Sequence, residues 1–152
     1  MVASKHTLHT MRCSLHAAHY SPYALIITIK QKMVSMKNFK ELRIWQKGMD
    51  IAVNCYKLVE GFPKEERYTL SNQITKSGVS IPSNIAEGSS RKSERDNARF
   101  IEISLGSSYE LETQLLIAQR VKFGDQELLS KTLADVSDEQ KMLMGFGNRL
   151  NK

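Results

Sequence analysis

The sequence has few of the residues that interrupt helices or cross-link small folds. Its 152 residues include three prolines, eight glycines and two cysteines. Cys13 and Cys55 are too few for the disulfide framework of a secreted domain, so we expect free thiols in a reducing cytoplasm. No apolar run approaches the roughly 20 residues that a membrane-spanning helix needs. The sequence therefore predicts a soluble, cytoplasmic protein.

Histidine is absent from most of the chain, because all four histidines fall within the first 19 residues. Their spacing matches no zinc-binding pattern, and that stretch shows no helical or strand period. A signal peptide is an alternative explanation of the apolar run YALIITI, but small residues at a cleavage site are missing after it. We expect residues 1–35 to be a disordered or mis-started N-terminal extension and residues 36–152 to be the folded domain.

Acidic residues are absent from the extension, and this accounts for much of the net charge of +6. Residues 1–35 contain Lys5, Arg12, Lys30 and Lys32, which leaves 18 basic and 16 acidic residues in 36–152. Because the domain is close to neutral, its net charge does not predict nucleic-acid binding. Any electrostatic argument must rest on where the charges lie.

Apolar residues recur at helical spacing in four segments after Met36. We predict helices over 38–60 and 65–87, a third from the cap signal of Ser93 and Asp96 to about Lys122, and a fourth after the N-cap Asp125. Gly61 and Gly88 are expected to end the first two helices, and Pro82 to bend the second. Short loops between amphipathic helices predict an all-α, antiparallel up-down-up-down four-helix bundle.

Each predicted helix has a face expected to point into the core. In the first helix this face is a seam at heptad spacing, formed by Leu42, Trp45, Met49, Ala52, Tyr56 and Val59. In the second it is Leu70, Ile74, Ile81 and Ile85, and in the third Phe100, Ile101, Leu105, Ser108, Leu111, Leu115 and Ala118. In the fourth it is Leu128, Leu129, Leu133, Val136, Leu143, Phe146 and Leu150.

A stripe of small and polar residues accompanies the apolar face of the second helix. Its members are spaced by four and three residues, namely Gln73, Ser77, Ser80, Asn84 and Glu87. The third helix offers Ser104, Gly106, Ser107, Ser108, Glu110 and Glu112, and Gly106 is expected to allow close approach of another helix. A solvated face is the alternative, but such faces usually carry Lys, Glu and Arg. We predict a buried or interfacial polar seam that fixes the register of helices or subunits.

Catalytic constellations are not indicated. Paired carboxylates, Glu87 with Glu110 or Glu112, would suit a small metal-dependent hydrolase, which is one alternative. A di-metal site in a bundle, however, uses Glu-x-x-His motifs, and no histidine follows residue 19. Cys55 has no histidine partner, and no phosphate-binding loop is present. We therefore expect no enzymatic activity, no metal and no cofactor.

Basic residues concentrate in two places. Arg91, Lys92, Arg95 and Arg99 follow the polar stripe, and Lys40, Arg43 and Lys47 lie on the first helix. Arg95 and Arg99 share a face at the N-terminal, positive end of the third helix dipole. Repulsion between these charges and the dipole destabilises the helix by a few tenths of a kcal/mol unless an anion binds there. A phosphate-binding patch and a solvated turn both remain open. Exposed aromatic residues are not interleaved with either set, so base stacking is not predicted.

Two motifs support a resemblance to a known family, SIPSNIAEG at 80–88 and LGSSYELETQL at 105–115. With KELRIWQKGMDIAVNCYKL before them, they make residues 37–150 resemble the four-helix bundle proteins encoded in intervening sequences of bacterial 23S rRNA genes. The family motif falls on Trp45, Gln73, Ser80, Pro82, Asn84, Glu87, Gly88, Gly106, Ser107 and Glu110. The resemblance implies that these positions serve the fold or its assembly.

The resemblance also implies partners. Members are similar to the accessory variability protein of diversity-generating retroelements, and relatives form ring-shaped homopentamers with basic surfaces implicated in binding RNA or a reverse transcriptase. We therefore expect a non-enzymatic, oligomeric module that binds structured RNA or a ribonucleoprotein partner, through the two basic sets. The alternative is a protein-interaction scaffold without nucleic-acid contact.

Overall fold

The computed structural model describes residues 38–151, and our prediction for residues 1–35 lies outside this range. Four α-helices are present, α1 (Arg43–Val59), α2 (Leu70–Ser89), α3 (Glu94–Arg120) and α4 (Gln126–Leu150). Short 3-10 helices, Phe39–Glu41 and Lys64–Tyr68, precede α1 and α2. The described residues contain no strand, which confirms the all-α prediction. Within the same residues, no helix has the length and apolarity needed to cross a membrane.

Neighbouring helices run in opposite directions. On α2 and α3, Ser77 bonds to Gln114 while Ser80 lies against Ser107, so position numbers rise on one helix as they fall on the other. The same opposite order relates α3 to α4 and α1 to both of its neighbours. Between α3 and α4, Glu112 lies next to Gln140 and Ile101 next to Gly147. Between α1 and α4, the pairs are Lys47 with Asp135 and Gly61 with Gly124, and between α1 and α2 they are Gly48 with Ile81 and Cys55 with Gly78. These pairings make an antiparallel four-helix bundle.

The face of α1 that enters the core differs from the predicted seam. Ile44, Ile51, Cys55 and Leu58 are buried and belong to the main apolar cluster. Met49 and Tyr56, which we predicted to be inside, are 38% and 56% exposed. α1 carries apolar residues on two adjoining faces, and α2 and α4 cover only one of them. In the other helices, the residues predicted to point inward are buried or packed against the core, with the exception of Phe100.

Local signals set most helix boundaries. Ser93 caps α3 by accepting a hydrogen bond from the Asp96 amide at 3.0 Å, and Asp125 caps α4 by accepting from the amides of Glu127 and Leu128. Both cap predictions are confirmed. The second helix differs from its prediction at both ends, because Lys64–Tyr68 is a separate 3-10 helix and α2 continues through Gly88 to Ser89.

Close packing explains why Gly88 lies inside α2 rather than beyond its end. A Cβ at Gly88 would lie 2.7 Å from the Asn97 side-chain oxygen and 2.9 Å from Cβ of Phe100. Glycine therefore allows the last turn of α2 to contact the first turns of α3. This contact sets the distance between the two helices beside the turn that joins them.

Pro82 is also accommodated by close packing. It is buried within α2, where it cannot donate a backbone hydrogen bond. Gly48 of α1 lies opposite, and a Cβ there would be 3.5 Å from Cβ and Cδ of the proline ring. Packing of α1 against the ring offsets part of the cost of an interior proline.

Candidate nucleic-acid interface

The basic residues predicted at the turn between α2 and α3 lie at one end of the bundle. Arg91, Lys92, Arg95 and Arg99 are all exposed. Lys40 and Arg43 are exposed as well, and they lie at the same end because α1 and α3 begin there. Lys47 is different, since its amine donates to Asp135 of α4 at 2.8 Å and its side chain is 27% exposed.

Arg95 and Arg99 are two of the five cations in this set that form no ion pair in the described residues, together with Lys40, Arg43 and Lys92. Arg95 and Arg99 both line a surface cleft of about 540 Å³, whose other walls include Asp96, Glu102 and Asn151. Two guanidinium groups one helical turn apart, without an acidic partner, leave their charge available to an external anion.

Arg91 is held in place by two contacts. It forms an ion pair with Glu87, one turn earlier in the chain, and its guanidinium carbon lies 4.5 Å from the ring centroid of Phe100. Phe100 was predicted to lie in the core, but it is only half-buried. Arg91, Asp96, Arg99, Phe100 and Ile103 together line a second cleft of about 390 Å³.

The predicted polar seam lies between α2 and α3. Buried Ser77 donates to the Gln114 side-chain oxygen at 2.7 Å, and the hydroxyls of Ser80 and Ser107 are 2.9 Å apart. The amide of Asn84 donates to the Ser80 carbonyl at 2.8 Å, and the buried Ser104 hydroxyl donates to the carbonyl of Ile81 at 3.0 Å. These bonds cross or border one helix pair and fix its register.

Other members of the predicted set lie outside this network or at its edge. Gln73, Glu87 and Glu110 are exposed, and the carboxylate of Glu110 accepts a bond from Gln114 at 3.1 Å. Gly106 is exposed, and a Cβ there would have no neighbour within 4 Å. No helix of the described chain therefore approaches Gly106, contrary to our expectation of close packing there within the bundle.

Carboxylates do not assemble into a metal site in residues 38–151, where no group of three or more His, Cys, Asp or Glu side chains is arranged to hold an ion. The carboxylate of Glu112 accepts a bond from Gln140 of α4 at 2.8 Å, whereas Glu87 pairs with Arg91. The predicted alternative of an acid–base pair is thus not supported by their partners.

An exposed apolar groove runs between α1 and α2. Its volume is about 350 Å³, and its walls are almost entirely apolar, formed by Trp45, Met49, Ala52, Val53, Tyr56, Val79, Pro82, Ser83 and Ala86. Four of these side chains are the residues predicted as the inner seam of the first helix. The heptad spacing thus identified a continuous apolar surface, although the bundle leaves that surface uncovered.

Glu139 is a buried carboxyl group that the sequence reasoning did not single out. It is 0% exposed, and neither of its oxygens has a hydrogen-bond partner in the described residues. Burial raises its pKa from 4.5 to about 8, whereas the charge of Lys47 acts in the opposite direction. Burial likewise raises the pKa of the Cys55 thiol to about 12, which makes that cysteine an inert core residue.

Residues 40–145 match the family described as 23S rRNA-intervening sequence protein. The chain belongs to this family. The predicted resemblance is therefore confirmed at the level of the family, whereas the link to the retroelement accessory protein stays a prediction.

One solved structure has a fold similar to that of this chain. It is a protein of unknown function from the S23 ribosomal protein family of Bacteroides thetaiotaomicron, 25% identical to this chain, with a TM-score of 0.60. The match covers 67% of this chain and 95% of that one. A comparison with curated proteins found no match.

Three features escaped the sequence reasoning, namely the Arg91–Phe100 stack, the exposed apolar groove and buried Glu139. Arg91 lies in the α2–α3 turn and Phe100 on α3, and no helical period continues through the turn, so pattern alone does not join them. A usable signal existed for the groove, because α1 has apolar residues on more than one face.

Proposed function

We propose that this member of the 23S rRNA-intervening sequence family is a cytoplasmic, non-enzymatic, homo-oligomeric module that binds structured RNA. The observation that carries the proposal is the pair of exposed arginines, Arg95 and Arg99, which have no acidic partner in the described residues and share one cleft. Phosphate oxygens are the ligands that such unpaired guanidinium groups bind most readily.

The arrangement of charge supports one RNA-binding end. Arg91 lines a second cleft that shares Arg99, Lys92 follows it in the chain, and Lys40 and Arg43 add charge at the same end of the bundle. We leave Lys47 out of the proposed contact, because its amine is bound to Asp135. We choose RNA rather than DNA as the ligand to test because the family is associated with rRNA intervening sequences.

The test is RNA affinity as a function of salt, with charge reversal at Arg95 and Arg99. Each phosphate contact adds a little under one unit to the slope of log affinity against log salt. We expect the double variant Arg95→Glu/Arg99→Glu to bind a structured RNA at least roughly tenfold more weakly and with a smaller slope. The matched control is Arg120→Glu/Lys131→Glu, which makes the same change in charge at exposed positions toward the other end.

Two results contradict RNA binding at this end. One is affinity that does not depend on salt. The other is an equal loss of affinity in the control variant, which would mean that total charge, rather than this cleft, attracts the RNA.

A second candidate function is a scaffold for a partner protein, for example a reverse-transcriptase-like protein, without RNA contact. It is favoured by the pairing of Arg91 with Glu87 and of Lys47 with Asp135, which neutralises two of the seven predicted contacts. The ultraviolet absorbance spectrum of protein purified without high-salt washes separates the candidates. Co-purified nucleic acid supports the RNA-binding module, and a clean protein spectrum with no RNA affinity supports the scaffold.

A homo-oligomer, a pentamer by family resemblance, is part of the proposal. The apolar groove supports it, because Val53 and Tyr56 remain 46% and 56% exposed in the single chain. The outer face of α3 carries further exposed apolar side chains, Tyr109, Leu116 and Ile117. A second copy of the chain can cover the groove with this α3 face, and contacts between two different faces can close into a ring.

A further inference from the structure

The guanidinium of Arg91 is a flat group with a fixed orientation at the mouth of a cleft. Phe100 lies beneath it, at 4.5 Å from ring centroid to guanidinium carbon, and Glu87 pairs with it from α2. These two partners limit its movement, yet 40% of the Arg91 side chain remains exposed. Phosphate binding alone needs a positive charge, but not a plane supported by an aromatic ring.

The cleft beside this plane is large enough for a nucleotide base and is lined by apolar and positively charged groups. Its volume of about 390 Å³ lies within the roughly 300–1,000 Å³ of typical small-molecule pockets. Ile103 gives it an apolar wall and is 44% exposed, while Arg99 contributes a positive charge that no acid neutralises in the described residues. The single carboxylate on its wall, Asp96, accepts a hydrogen bond from the Ser93 hydroxyl at 2.6 Å.

We propose that this cleft binds an unpaired nucleotide of RNA, with its base stacked on the Arg91 guanidinium and its phosphate bound by Arg99. The inference rests on the proposed RNA-binding function and specifies its ligand. Proteins that read single-stranded loops and bulges stack bases on aromatic rings or on arginine planes. A base inside a continuous duplex has no free face to offer, so loops and bulges are the expected targets.

The location of Phe100 is the observation that sequence reasoning lacked. With Phe100 in the core, the basic cluster has no aromatic neighbour, and base stacking is not predicted. In the structure, Gly88 brings α2 so close to Phe100 that the Arg91 side chain, three residues later, reaches over the ring. The same glycine that packs the two helices therefore builds the stacking surface.

The experiment compares two RNAs at equal salt with the full chain. One is a hairpin with a single-stranded adenosine loop, and the other is a blunt-ended duplex with the same number of phosphates. The key variant is Arg91→Lys, which keeps the charge but removes the plane. The control is Arg120→Lys, the same exchange at an exposed arginine toward the other end of the bundle, which stacks on no aromatic ring within residues 38–151.

We expect the wild-type chain and Arg120→Lys to bind the hairpin roughly fivefold or more tightly than the duplex, the lower end of what one stacked base contributes. Arg91→Lys should bind both RNAs alike, with an unchanged salt dependence. A hairpin preference that survives in Arg91→Lys overturns the stacking site.

Failure of this inference is distinguishable from failure of the proposed function. If the wild-type chain binds hairpin and duplex equally and both affinities fall with salt, the RNA function stands and the nucleotide site is wrong. If neither RNA binds in a salt-dependent way, both are wrong.

A second pair of variants tests the ring itself. Phe100→Leu should lose the hairpin preference, and Phe123→Leu, at a half-buried phenylalanine near the opposite end, should retain it. Thermal unfolding of both variants verifies that each is folded. Retained preference in folded Phe100→Leu contradicts the role of the ring beneath Arg91.

Discussion

Glu139 shows how strongly a single residue can depend on its surroundings. It lies on α4, one turn from Asp135, but Lys47 pairs with Asp135 and leaves Glu139 without a hydrogen-bond partner in the described residues. Since burial raises its pKa from 4.5 to about 8, the folded chain keeps a proton there at neutral pH. The unfolded chain releases that proton above pH 4.5, so folding and protonation are linked.

We predict that stability falls as pH rises from 4.5 to about 8 and levels off above that range, because only the folded state binds the proton in this window. For each pH unit in this window, the free energy of unfolding falls by at most about 1.4 kcal/mol. Glu139→Gln should remove this slope, and urea unfolding across the pH range measures it. The control is Asp138→Asn, because the Asp138 side chain is 60% exposed and its removal should leave the slope unchanged. If the slope persists in Glu139→Gln, Glu139 is not the group that causes the pH dependence.

The helix pair α2–α3 is specified by small residues. Gly88 permits contact with Asn97 and Phe100, and hydroxyl groups of Ser77 and Ser80 bond across the pair. Larger side chains at these positions would separate the two helices. The separation matters beyond stability, because it decides whether Arg91 can reach the ring of Phe100.

We predict opposite effects of the same substitution at two helical glycines. Gly88→Ala should destabilise the chain by about 1–3 kcal/mol, since its Cβ would lie 2.7 Å from the Asn97 oxygen. Gly145→Ala should stabilise it by about 0.5–1 kcal/mol, because a Cβ there meets nothing within 4 Å and alanine favours a helix. Thermal or urea unfolding measures both, and equal effects at the two sites would contradict the packing described here.

At the scale of the whole molecule, the bundle leaves one apolar groove and one apolar helix face open to solvent. Met49, Val53, Tyr56 and Val79 are each more than a third exposed along the groove. Contiguous exposed apolar surface in a small domain typically marks an interaction site. A second copy of the chain is the occupant we propose.

Light scattering coupled to size exclusion tests this assembly. We predict an oligomer for the wild-type chain, and dissociation in Val79→Glu, because a buried unpaired charge destabilises an interface. Met144→Glu, at an α4 side chain 43% exposed and outside the groove, should remain assembled. A wild-type monomer, or equal behaviour of the two variants, would exclude the groove as a subunit interface.

By itself, the sequence determined the number of helices, their caps and the family, because helical periodicity, the Ser93 and Asp125 caps and the SIPSNIAEG motif are local features. It also placed the polar residues that bond between α2 and α3. Only the tertiary structure decided which face of α1 is buried, since periodicity reveals an apolar stripe but not which of two stripes a neighbouring helix covers. The environment of Glu139 depends on packing between α1 and α4, which are distant in sequence. The Arg91–Phe100 stack depends on how closely α2 and α3 pack beside their turn, and no local pattern encodes either arrangement.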